Sequence, residues 1–507
     1  MKRLFALIAV LCLVCAGCSG VRGSATRIVY LPLDAQVQQL DPQVAQDAAS
    51  VTVLHALFEG LTRLEKDGSV SPAAAAWTVS DDGTVYTFSL REGYWYCEGE
   101  RLGRVTAQDF VFGFSRVLTA PDNDQVAKEL YIIAGAEQYR NGTAQSFGAQ
   151  AVDENTLRIT LSHPDETFLQ RLAGSVFFPC NQAFFEQTAG RYGMSGDQLC
   201  GNGVFSLRSW GQTQLRLTKN EGHRDAAAYA LTGVRFVHRT EDTVKLLQNG
   251  SLDIGAVSPE TMAQLRQDGW GSVQTNDTVL SLLLNHNRAA LAQRDCRLAL
   301  FAAAEQPCAA GFVPPDALLS GSEPFRKTGN AVVWPTVPPE QVKQRWRSGL
   351  QAAELADTPH MTLLCTPQLQ ATAQQILQRW QKNLSVYFSI ETLEAADLQR
   401  RLNSGRYDMA LVPQTPSSLY AGGQLAAFAD AEKNVCRFAD AAFAAADGSA
   451  DRAALQALEQ ALADQCVYIP LAFVPRHFAV SKNMQGIALR PFGGGQWQSP
   501  FDLRSIV

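Results

Sequence analysis

Met361-Thr362-Leu363-Leu364 opens the stretch that decides the fold. It is followed by Ala373, Ile376, Leu377, Trp380 and Leu384 at helical spacing, by Val386-Tyr387-Phe388-Ser389-Ile390, by Leu398 and Leu402, and by Tyr407-Asp408-Met409-Ala410-Leu411-Val412. Short apolar runs suit buried strands, and apolar residues three and four apart suit helices with one buried face. The order β-α-β-α-β implies a parallel sheet covered by helices, because a crossover helix returns the chain to the same end of the sheet.

Working outward, the pattern stays mixed. Arg27-Ile28-Val29-Tyr30-Leu31 is a strand candidate ended by Pro32, and Trp77–Ser80 and Thr84–Leu90 flank Asp81-Asp82-Gly83 as a hairpin with Tyr86, Phe88 and Leu90 on one face. Thr106, with Asp109 at the third position, caps a helix whose Phe110, Val111, Phe114, Val117 and Leu118 form one stripe. Thr156–Leu161, Leu215–Leu217 and Val234–Val237 read as strands, and a helix from Glu241 to Gln248 stops at Gly250. A final helix with Leu455, Leu458 and Leu462 runs into an apolar strand over Val467–Val474, and Ala441–Ala446 favours helix.

The chain has 507 residues, 46% hydrophobic and 18% charged, which is more than one compact core usually holds and excludes a largely disordered protein. Its formal charge is −6, and no Lys/Arg-rich run occurs, so a nucleic-acid partner is not expected. Lys2 and Arg3 precede the apolar run Leu4–Val14, which is too short to span a bilayer and reads as an export signal. It ends in Cys15-Ala16-Gly17-Cys18, similar to a bacterial lipobox, so residues 1–17 are expected to be a leader, Cys18 the lipidated first residue and 18–26 a tether. That places the protein on the outer side of a cell membrane, held by the lipid on Cys18. An ordinary secretory signal is the alternative.

Eight of the 11 cysteines lie beyond the leader and Cys18, scattered without the close double pairs that zinc requires, so no metal site is expected. An exported chain meets oxidising conditions. The candidate disulfide cysteines are Cys180, Cys200, Cys296 and Cys308, since Cys180 with Cys200 and Cys296 with Cys308 close the shortest loops; free buried thiols are the equal alternative. No H-E-x-x-H, G-x-S-x-G or serine–lysine motif occurs, and Gly201-Asn202-Gly203 lacks the remainder of a phosphate loop and reads as a turn before the strand Val204–Leu207. No catalytic residue and no cofactor is assigned.

The order of several fragments resembles a known family. They are Leu40-Asp41-Pro42; Leu57-Phe58-Glu59-Gly60-Leu61; Ser80-Asp81-Asp82-Gly83 with Tyr86-Thr87-Phe88; Val105-Thr106-Ala107-Gln108-Asp109-Phe110; Gly201-Asn202-Gly203-Val204-Phe205; Leu247-Gln248-Asn249-Gly250 with Asp253-Ile254; Leu284-Asn285 with Arg297-Leu298-Ala299-Leu300; and Ile469-Pro470-Leu471. Together, over essentially the whole mature chain, they are similar to the extracytoplasmic solute-binding proteins of ABC transporters in the oligopeptide/dipeptide/nickel class, family 5. The resemblance implies a two-lobed periplasmic-binding-protein-like clamp (type II, cluster C), with lobe I over 27–41, 166–275 and 471–507, an extra subdomain over 42–165, and lobe II over 276–470. It implies a monomeric receptor that closes on a peptide or peptide-like solute and serves an ABC permease and ATPase.

The loop after Val412 departs from that pattern. Peptide-binding relatives carry a Trp and then an Asp-Tyr-x-Asp-Pro-like stretch whose aspartate holds the peptide ammonium. Here the residues are Pro413-Gln414-Thr415-Pro416-Ser417-Ser418-Leu419-Tyr420-Ala421-Gly422-Gly423, with no carboxylate. Thr415, Ser417, Tyr420 and Phe473 are the expected ligand-lining residues; the plain alternative is a surface loop. Either another acid substitutes or the solute is not held by a free amino terminus, which leaves a metal chelate or a glycoside as alternative ligands. A surface sensor or adhesion protein on the same fold is the alternative of another class.

Overall fold

In the computed structural model, two bodies of α/β structure are joined by long strands; the residues described are 27–65, 67–239, 242–306, 308–326, 331–416, 418–425, 451–494 and 497–507. The leader, Cys18, the tether, Cys436 and the alanine run 441–446 lie outside them. Among the described residues, no helix is long and apolar enough to cross a membrane.

The first body is built on a four-stranded sheet in the order Ile28–Leu33, Gly233–His238, Gln214–Lys219, Phe205–Trp210. The first strand runs through Pro32 instead of ending there. It is an edge strand paired only with Gly233–His238, so the N–H that proline lacks has no neighbour to bond. Packed on this body is a second four-stranded sheet, in which Ala75–Val79 and Val85–Leu90 form the expected hairpin and Thr156–Thr160 pairs beside it. Tyr86 and Phe88 are buried and Leu90 is half-buried. The helix Ala107–Thr119 begins as its sequence requires: the Asp109 carboxylate accepts the Thr106 backbone N–H at 2.8 Å, and Phe110, Phe114, Val117 and Leu118 fill the core.

The second body surrounds a six-stranded sheet in the order Ile254–Val257, Ile469–Val480, Gly271–Leu284, Met409–Gln414, Thr362–Cys365, Ser389–Thr392. Only the β-α-β-α-β portion is parallel; the remaining pairings are antiparallel, so the sheet is mixed and not purely parallel. The reason lies in Gly271–Leu284 and Ile469–Val480, which enter from the first body and lie against each other in opposite directions. The third strand of the parallel set starts at Ser389, later than Val386. Ser385 takes a left-handed conformation (φ 61°) at the preceding helix end, and Val386 is buried while Tyr387 is exposed before pairing begins. Helix Gln370–Leu384 buries Ala373, Ile376 and Trp380 completely, and the Trp380 indole donates to the Leu300 carbonyl at 2.8 Å. The strand expected over 467–474 begins at Ile469 and continues to Val480.

Two glycines set the joint between these sheets in the first body. The Gly203 N–H donates to the Leu57 carbonyl at 2.8 Å, and a Cβ at Gly203 would lie 2.7–2.8 Å from the backbone of Leu57 and Phe58. Asn202 brackets the same segment, its amide oxygen accepting the Glu59 N–H and its amide nitrogen donating to the Glu59 carbonyl, each at 2.9 Å. Gly201-Asn202-Gly203 is therefore a backbone clasp. Because the clash in Gly203→Ala is with main chain that cannot rotate away, the substitution is expected to lower unfolding free energy by about 1–3 kcal/mol in urea titrations. An unchanged midpoint would show that the clasp is not tight.

Candidate functional site

The strands Gly271–Leu284 and Ile469–Val480 pair from Gly271 opposite Val480 to Leu282 opposite Ile469, with an irregularity between Leu280 and Ser281 and, earlier along the strand, a register shift between Thr275 and Thr278. Asn276-Asp277 occupies that shift, where an extra residue re-aims side chains. Asp277 is completely buried, and four groups converge on its carboxylate: Arg476 Nε at 2.8 Å, a second Arg476 guanidinium nitrogen, the Phe492 backbone N–H at 2.7 Å and the Thr275 hydroxyl at 2.9 Å. Burial alone would raise the Asp277 pKa; the Arg476 hydrogen bonds and charge outweigh it, and the carboxyl is held below its ordinary value. One carboxylate thus joins both long strands and the C-terminal segment. That segment runs on to Trp497, Phe501 and Ile506 in the core of the first body.

The expected ligand residues divide into two places. Val279 pairs with Gln414 on one side and Phe473 on the other, which brings the start of the 415–420 loop and Phe473 to the same level of the sheet. The Thr415 hydroxyl shares a 2.7 Å hydrogen bond with that of Thr278, whose oxygen lies 3.3 Å from Asp277 Oδ1. The Arg326 guanidinium lies 5.4 Å from the Phe473 ring centroid and is also paired with the buried Glu459 carboxylate. Glu459 accepts the N–H groups of Phe312 and Val313 at 2.7 and 2.9 Å. Tyr420 lies elsewhere: its hydroxyl donates to the Gly68 carbonyl at 3.3 Å, and burial pushes its pKa up. Ser417 is outside the described residues.

Tyr420 therefore reaches across to the turn between Thr62–Leu64 and Val70–Pro72. That turn fits closely. A Cβ on Gly68 (φ +82°) would meet Leu318 Cδ1 at 2.1 Å and the Gly321 carbonyl at 2.7 Å. Leu64 and Ala173, from the first body, share one buried apolar cluster with Phe312, Leu319, Leu419 and Leu458 from the second. The two bodies are in contact along this seam.

Sequence reasoning missed Asp277, Thr278 and Arg476. The available signal was the polar interruption Thr275-Asn276-Asp277-Thr278 ahead of the apolar run to Leu284. The carboxylate brought nearest the Thr415 hydroxyl chain, Asp277, is already engaged through both oxygens, so it is not an open acceptor for an ammonium group. Asp41 is likewise committed, to Arg116 at 2.6 and 3.0 Å. Several fragments that carried the family resemblance are thus internal joints. Glu59 accepts from Arg63 at 3.0 Å and also pairs with Arg224; beside them a cavity of about 320 Å³ is lined by Arg63, Glu65, Arg91, Asp225 and Arg504, whose charges largely compensate one another. Among the described residues, no group of three or more His, Cys, Asp or Glu is placed to hold a metal ion.

The cysteine geometry differs from the expected pairs. All seven described cysteines are free thiols. Cys180 lies 3.5 Å from an Arg116 guanidinium nitrogen, Cys296 lies 3.7 Å from the Trp346 carbonyl, and strand pairing sets Cys200 opposite Cys97, not opposite Cys180.

Two α/β bodies linked by long crossed strands, with a polar junction at the crossing and an apolar seam beyond it, make a two-lobed periplasmic-binding-protein fold. Residues 70–307 match the family described as bacterial extracellular solute-binding proteins, family 5. The dipeptide-binding protein DppE of Bacillus subtilis is 24% identical over 499 residues, covering 93% of this chain and 91% of that protein. The periplasmic murein peptide-binding protein MppA of Escherichia coli is 27% identical over 393 residues, 73% of this chain and 72% of its own. The structure of Listeria monocytogenes OppA bound to peptide superposes with a TM-score of 0.73 at 21% identity, covering 95% of this chain and 99% of that one. The matched family model is one of extracellular solute-binding proteins, and the relatives are named as peptide-binding proteins.

The Asp277 junction has a definite pH signature. A carboxyl whose folded pKa is depressed adds stability at pH values above its ordinary 3.8, and that stability is lost as pH falls through the lower folded value. Since the Arg476 side chain remains 35% exposed, Asp277→Asn is expected to cost about 2–3 kcal/mol at pH 7, less than for a fully enclosed pair. The difference between the two proteins should shrink below pH 4 in chemical denaturation. A difference that is constant from pH 7 to pH 3 would contradict the depressed carboxyl.

Proposed function

We propose that this chain is an extracytoplasmic receptor, tethered through lipid on Cys18, that encloses a peptide or peptide-like solute between two lobes and delivers it to an ABC permease driven by a separate ATPase. The lobes are those outlined above: 27–41, 166–275 and 471–507 with the subdomain 42–165 on one side, and 276–470 on the other. It works as a monomer, and Thr415 and Phe473 face the solute. The observation that carries the reading is the pair of long strands crossing between the bodies: a solute touching both bodies contacts each fully only when they close, so its binding energy is spent on closure. The names of the relatives, dipeptide-, oligopeptide- and murein-peptide-binding, support the solute class.

An extended peptide offers main-chain groups whatever its sequence, and hydroxyls and backbone at a sheet edge can satisfy them. With Asp277 occupied by Arg476 and no acid in 413–423, the site recognises the peptide backbone and not its ammonium group. A carboxylate-held ammonium is a charge-assisted bond worth about 1.5–3 kcal/mol, so blocking it would cost roughly tenfold or more.

Calorimetry of the purified chain with tri- to pentapeptides and their N-acetylated forms checks this directly. Both forms should bind with affinities within about threefold. Loss of binding on acetylation would show an ammonium anchor elsewhere in the cleft, and no heat with any peptide, combined with a co-purified non-peptide seen in native mass spectrometry, would overturn the solute class.

A further inference from the structure

We propose that Cys97 and Cys200 form a disulfide that staples the hairpin 94–104 to the segment 200–203. Tyr94–Cys97 is the central strand of a three-stranded sheet, and Cys200–Gly201 pairs with it antiparallel, Cys200 directly opposite Cys97 and Gly201 opposite Tyr96. Directly opposed residues of an antiparallel pair have Cα atoms about 4.5–5.5 Å apart, within the range of about 4.4–6.8 Å that a disulfide spans.

Both backbones are held in place from outside the pair. Cys97 precedes a two-residue turn in which Glu98 (φ 49°) and Gly99 (φ 89°) both take positive φ, the tight hairpin geometry that fixes Cys97 opposite Glu100. Cys200 is held by the Tyr192 hydroxyl, which donates to its carbonyl at 3.3 Å, and by the clasp of Gly201 and Gly203 on Leu57. The two residues already stand directly opposite each other, so bond formation requires no change of register.

The chemistry selects this pair from the other described cysteines. The neighbouring Cys200 holds the Cys97 pKa below its ordinary value, Cys97 and burial hold that of Cys200 above, and Cys97 is half-exposed while Cys200 is fully buried. Burial pushes Cys180, Cys296 and Cys466 up to about 12 and Cys308 up to about 11, which keeps those thiols protonated and unreactive. With glutathione disulfide as the oxidant, the Cys97 thiolate attacks one of its sulfurs and forms a mixed disulfide, expelling one glutathione thiolate. The Cys200 sulfur, giving up its proton, then attacks Cys97 Sγ and expels the second. The protein loses two electrons and two protons, and the glutathione disulfide becomes two thiols. The covalent tie joins elements far apart in the chain, and it holds the subdomain hairpin on the first body as the lobes open and close.

The test takes the full purified chain, reduced and then equilibrated with glutathione disulfide, alkylated after unfolding and digested without reductant for mass spectrometry. The expected result is a peptide pair joining Cys97 to Cys200 and the loss of two alkylatable thiols relative to the reduced chain. The link should be absent in C97S and retained in C180S. Cys200 joined to Cys180, or complete alkylation of both Cys97 and Cys200, would overturn the proposal. Neither outcome bears on whether the chain binds peptides.

Discussion

The buried contact of Asp277 with Arg476 is the constraint on which the arrangement of the two bodies depends. A charge without solvent is costly unless its partners surround it, and here the guanidinium, a threonine hydroxyl and a backbone N–H do so from three segments of the chain. The contact sits at the irregular register between Thr275 and Thr278, one of two places, the other between Leu280 and Ser281, where the long strands are not held by a regular ladder. A regular ladder resists bending along its length; an interruption secured by a single polar knot can flex around the knot while the strands on either side stay paired.

The energetics of a clamp follow from where the remaining contacts lie. Those across the seam are modest: one hydrogen bond from Tyr420 to Gly68, close packing of the 68 turn on Leu318, and a shared apolar cluster from Leu64 to Leu458. Contacts of that size favour closure without enforcing it. By contrast, the groups beside the crossing are stiff. Glu459 is fixed by Arg326 and by two backbone N–H groups, and Arg326 in turn lies against Phe473, so the face presented at that level is organised before any solute arrives.

Much of the fold was legible in the sequence because its signals are local. The capping pair Thr106 and Asp109, the Asp-Gly turn at 82–83 and the helical stripe ending at Trp380 each report on their own immediate backbone, and each formed as read. What the sequence withheld was set by distant partners. Pro32 looked like a strand end because its neighbour in the sheet, residue 237, could not be known; the parallel sheet became mixed because two strands arrive from the other body. The site shows the same division. Thr415 and Phe473 were expected as lining residues from their positions in the chain, and the strand register brings Gln414, next to Thr415, and Phe473 to one level of the sheet. The junction they depend on was missed, since Asp277 and Arg476 are nearly two hundred residues apart and neither falls in a motif. For the cysteines, loop length pointed to Cys180 with Cys200 beside the equal alternative of free thiols, whereas strand register sets Cys200 opposite Cys97.

The central claim is that the bodies move about the crossing and that a solute holds them shut. Small-angle scattering of the purified protein, with and without a saturating peptide, tests it most directly. The radius of gyration is expected to fall on addition of peptide and to return when the peptide is removed. Identical curves in the two conditions, with peptide binding verified in the same sample, would contradict it.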